Sequence, residues 1–68
     1  MLLAEISNHE ILDLSIGTLY CYENFVIRVF LRGEENAVCA VRKEYAEALW
    51  AYLKSKLTVS PELYPTKE

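Results

Sequence analysis

The sequence predicts an α+β domain, an antiparallel β-meander of three to four strands with one C-terminal helix packed on one face. Three observations lead there. Residues 25–31 read Phe-Val-Ile-Arg-Val-Phe-Leu, so apart from Arg28 every position is β-branched, aromatic or aliphatic. That suits a central strand with apolar side chains for both faces of a sheet. Polar stretches of the kind that closes hairpins flank it, Glu23-Asn24 before and Gly33-Glu34-Glu35-Asn36 after. Residues 44–57 are then good helix formers, with Glu44 at the positive end and Lys54 and Lys56 at the negative end.

In chain order, residues 1–6 are a short apolar start suited to an edge strand, and Ser7-Asn8-His9-Glu10 is a polar break. Residues 8–16 carry two patterns. Ser7 with Glu10 has capping-box spacing and Gly17 fits a helix stop, whereas Leu12, Leu14 and Ile16 alternate with Asp13 and Ser15 as in a strand. The strand is favoured because the β pattern continues through Thr18–Tyr22, which makes Gly17 a bulge or bend. Asn24 is the turn residue best able to take a left-handed conformation, and Ala37–Val41 returns as the next strand. On the helix, Tyr45, Ala46, Ala48, Leu49, Trp50, Tyr52, Leu53 and Leu57 cover an arc of roughly 200°, about twice the width one packed face needs. Residues 1–57 are expected to form the domain and 58–68 a tail held extended by Pro61 and Pro65, able to dock through Val59, Leu63 and Tyr64.

A two-residue turn at Glu23-Asn24 and a four-residue loop at 33–36 sort the side chains by alternation. One face then holds Tyr20, Tyr22, Phe25, Ile27, Val29, Leu31, Val38 and Ala40, the platform for the helix. The other holds Leu19, Cys21, Val26, Arg28, Phe30, Arg32, Ala37, Cys39 and Val41, a surface too apolar to be solvated and too charged to be a closed core. A chain of 68 residues buries only about 60% of its unfolded surface. Domains of this size usually recruit a disulfide, a metal or a partner subunit. A homodimer covers both the second sheet face and the broad helix, with Val26, Arg28, Phe30, Arg32 and Trp50 as the expected contact residues. Trp50, at the border of the helix arc, fits a core anchor or an interface hot spot and is assigned to the interface.

Charge and motifs narrow the function classes. A net charge of −3 argues against a protein that lives on phosphate backbones or anionic lipid. The charge is also polarised: residues 1–27 hold four acids and no Lys or Arg, and residues 28–57 hold six bases against four acids. Arginines beside Phe30 on a sheet could stack and pair with single-stranded nucleic acid, but no motif of an RNA-binding sheet accompanies them, so an interface between proteins is preferred. Cys21 and Cys39 have neither redox nor zinc spacing, are expected too far apart to bridge, and read as buried thiols. His9 is the only histidine and is expected exposed in a loop, and Glu34-Glu35 as solvated loop charges. No catalytic constellation, metal site or cofactor motif is visible, and an enzyme is not expected. With neither a basic leader nor an apolar run of membrane-spanning length, the expectation is a cytoplasmic interaction or regulatory protein with reduced cysteines.

Overall fold

The computed structural model describes residues 2–59. They form β1 (Leu3–Ser7), β2 (Glu10–Asp13), β3 (Thr18–Glu23), β4 (Val26–Phe30), β5 (Cys39–Arg42), α1 (Lys43–Ser55) and β6 (Leu57–Val59). The α+β meander with one helix is as expected, but the sheet has six strands, in the order β5-β4-β3-β2-β1-β6. Neighbours in β1 to β5 pair antiparallel, and β6 pairs parallel with β1. The chain therefore leaves the sheet at one edge and re-enters at the other. Five strand spacings of about 4.8 Å make roughly 24 Å, and a 13-residue helix is about 20 Å long, so α1 has the length to cover most of the width of the sheet.

The expected edge strand and the strand favoured for residues 8–16 are β1 and β2, but residues 14–17 turn the chain between β2 and β3 where a continuous β pattern was expected, and a sixth strand was not anticipated. The segment 2–13 is a hairpin, β1 and β2, closed at Asn8-His9. The sixth strand begins at Leu57, which the helical pattern had claimed. Here the Thr58 hydroxyl accepts from the Leu3 amide at 2.8 Å and donates to the Leu3 carbonyl at 3.3 Å, bridging a register shift in the parallel pair. Of the tail expected to be extended, Thr58 and Val59 belong to β6; Pro61, Leu63, Tyr64 and Pro65 lie outside the described residues.

The register explains which face assignments held. Asn24 and Phe25, at φ 54° and 62°, form the turn between β3 and β4, so Tyr22 pairs with Ile27 and Cys21 with Arg28. This is two residues from the expected pairing, and a shift of two leaves every side chain on its expected face. The next connection is longer than expected, from Leu31 to Val38, and Arg28 pairs with Ala40. That shift is one residue, and it inverts β5: Cys39 and Val41 join the helix side, Ala40 the open side. Phe25 and Leu31, expected in the core, are 62% and 47% exposed, in the turn and just past β4. Val38, 54% exposed, and Ala37 precede β5.

The core lies between α1 and one sheet face. Leu3, Ile11 and Leu53 pack together, with Tyr20, Leu49, Trp50 and Leu57 against them. Ile27 and Ala46 are also fully buried. On the same face the Asp13 carboxylate, 2% exposed, accepts from the Ser15 amide at 3.0 Å and the Ser15 hydroxyl at 2.6 Å. The hydroxyl bond is the main cause holding the Asp13 carboxyl below its usual value, against burial that pushes it up. Lys54 of α1 reaches Glu5 of β1 at 2.9 Å, a half-exposed pair worth at most about 1 kcal/mol.

Candidate interaction surface

The face of the sheet away from α1 is built in rows, because antiparallel pairing sets side chains of adjacent strands beside one another. One row is apolar throughout: Ala4, Leu12, Leu19 and Phe30. The next row is polar and runs Glu10, Cys21, Arg28, Ala40. A third holds Glu23, Val26 and Arg42. Acids thus occupy β2 and the end of β3, while arginines occupy β4 and β5. Leu12, Leu19, Val26 and Phe30 are each half-buried, and Arg28 and Arg42 are exposed. Among the described residues none of these charges is in an ion pair.

The apolar row floors a groove of about 500 Å³. Leu12, Leu19, Cys21 and Phe30 lie beneath it, and Gly17, Leu31, Arg32, Gly33 and Glu34 wall one end. The wall depends on Gly17. At φ +82°, it closes the β2–β3 turn with its amide on the Asp13 carbonyl at 2.7 Å. A Cβ there would lie 2.5 Å from Arg32 Nε and 2.9 Å from Arg32 Cβ. Glycine is what lets the Arg32 side chain lie across this turn.

Of the expected contact residues, Val26, Arg28 and Phe30 share this face and Arg32 stands at its rim. Trp50 does not join them. It packs against the core beneath α1, its ring 5.1 Å from that of Tyr22. The spare apolar area of the helix lies instead at Tyr45 and Tyr52, 75% and 49% exposed, with the Lys56 ammonium 5.6 Å from the Tyr52 ring centre. Leu19 lies on this face as expected, and Leu12, Glu10 and Gly17 complete the surface without having been assigned to it. Leu12 was visible in the alternation of residues 12–16, but its neighbours across β2 depend on a pairing that the alternation does not specify.

The cysteines depart from expectation. Cys39 is exposed on an edge strand and Cys21 half-buried on the open face, so the two thiols lie on opposite sides of the sheet, both free. Burial is the first cause raising the Cys21 thiol above its usual value; Glu10, whose carboxylate lies 3.9 Å from Sγ, is the second. His9 is exposed in the β1–β2 turn. Among the described residues no three His, Cys, Asp or Glu side chains converge as metal ligands, and no helix is long and apolar enough to cross a membrane. No family model, curated protein or solved structure matches this chain.

Proposed function

We propose that this protein is a small homo-oligomeric interaction module that acts by binding protein surfaces through the open sheet face and the outer side of α1. One observation carries the proposal. The open face joins a continuous apolar row to charges divided by sign, acids on one half and arginines on the other. Half-buried leucines and a phenylalanine gain from being covered, at about 25 cal/mol per Å² of apolar surface removed from water. Divided charges favour a counterpart that is divided in the opposite sense, which a protein supplies more readily than a polyanion.

Arg28 beside Phe30 keeps a second role in view, an accessory protein for single-stranded nucleic acid, in which the aromatic stacks and the arginines pair with phosphates. Glu10 and Glu23 on the same face oppose it. Light scattering from about 1 to 100 μM separates the two, with fluorescence anisotropy of labelled single-stranded oligonucleotides in parallel. The proposal expects a mass that rises above the 7.9 kDa of one chain and no anisotropy change at moderate salt. A constant single-chain mass with salt-sensitive oligonucleotide binding reverses the order.

A further inference from the structure

The geometry points to a second copy of this chain as the occupant of the open face, related to the first by a two-fold axis that runs along β3, over Leu19 and Cys21. This presupposes the interaction role proposed above and specifies its partner and register. Glu10 and Arg28 are the immediate neighbours of Cys21 in the polar row, one strand away on either side, about 4.8 Å each. A two-fold along β3 exchanges those two positions. Glu10 of each copy then faces Arg28 of the other, twice per dimer.

The same operation works on the apolar row. Leu12 and Phe30 flank Leu19, so Leu12 of one copy meets Phe30 of the other while Leu19 meets its own equivalent. An axis across the strands instead would lay Glu10 and Arg28 over leucine and phenylalanine, leaving the charges unpaired as they are desolvated. Sheets stacked this way pack about 10 Å apart, which side chains of glutamate and arginine can span. Like residues meet only on the axis itself: Leu19, Cys21 and, at the exposed end of β3, Glu23. Both Trp50 and the outer tyrosines of α1 lie outside this interface, so Tyr45 and Tyr52 stay available to a different protein.

Reciprocal charge reversal tests the axis. Glu10→Arg and Arg28→Glu are made separately, each checked for retained circular dichroism, and studied by sedimentation equilibrium. Each alone should weaken self-association by about tenfold or more, since each places like charges opposite one another twice. Mixed in equal amounts, the two variants should form a mixed dimer about as tight as the wild type, because arginine at both positions in one chain meets glutamate at both positions in the other. In a Cys39→Ser background, a bismaleimide of about 10 Å reach should link two chains through Cys21.

A wild-type dimer whose variants gain nothing on mixing overturns the axis while leaving an interaction role intact. A monomeric wild type overturns the axis and the self-association together, and leaves the face to a different protein.

Discussion

At the scale of single residues, Asp13 and Gly17 hold the β2–β3 turn that walls the groove. The Asp13 carboxyl titrates below its usual value in the folded protein, chiefly through the Ser15 hydroxyl. A carboxyl lowered by folding contributes stability above the unfolded value near pH 4, and this contribution is lost as pH falls through the folded value. Ser15→Ala should therefore lower the urea midpoint at pH 7 and narrow the difference between the pH 7 and pH 3 midpoints. An unchanged difference would mean that the Asp13–Ser15 bond does not set the acid limb. Gly17→Ala meets both a left-handed backbone and the Arg32 side chain, so it should cost at least about 1–2 kcal/mol in denaturant unfolding and shift the 31–34 segment. Retained stability would show that Arg32 does not lie across the turn. Neither role was legible in the sequence. Gly17 was recognised as a bend, but its opposition to Arg32 arises from two loops 15 residues apart in the chain.

Among the elements, β4 was found in the sequence within one residue of its start and end, because a run of Val, Ile and Phe needs no partner to declare itself. Strand pairing is a different matter. Alternation fixes which residues of one strand share a face, but the face that meets the helix depends on the parity of each connecting loop. The β3–β4 pairing moved by two residues and kept the faces; the β4–β5 pairing moved by one and inverted them. The helix was legible from Glu44 onward for the usual reasons of propensity and charge. Its end was not, since Leu57 lies in phase with the apolar arc yet starts β6. The β3–β4 turn also carries strain, with Phe25 left-handed at φ 62°. Phe25→Gly should relieve it and raise stability by about 1 kcal/mol, measured by urea unfolding. A loss of stability would mean that the Phe25 ring makes packing contacts worth more than the strain.

For the whole molecule, the two faces of one sheet differ in how far α1 covers them. One face is closed by α1 over Leu3, Ile11 and Leu53; the other carries a half-buried apolar row at Leu12, Leu19 and Phe30 beside a row with Glu10 on one side and Arg28 on the other. The near-continuous apolar composition of β4 already pointed to a strand with apolar side chains on both faces, and the occupant proposed for the second is another copy of the chain. Ile27 and Arg28 are adjacent on β4 and point to opposite sides, the first fully buried and the second exposed. Substituting the same residue at both positions separates the faces most directly. With circular dichroism and sedimentation measured on each variant, Ile27→Glu should abolish the folded signal, because it buries a charge in a core worth only about 3–5 kcal/mol. Arg28→Glu should keep helix and sheet while the mass falls to that of one chain. Equal loss of the folded signal in both variants, or an unchanged mass with Arg28→Glu, would contradict the division of the sheet into a structural face and a binding face.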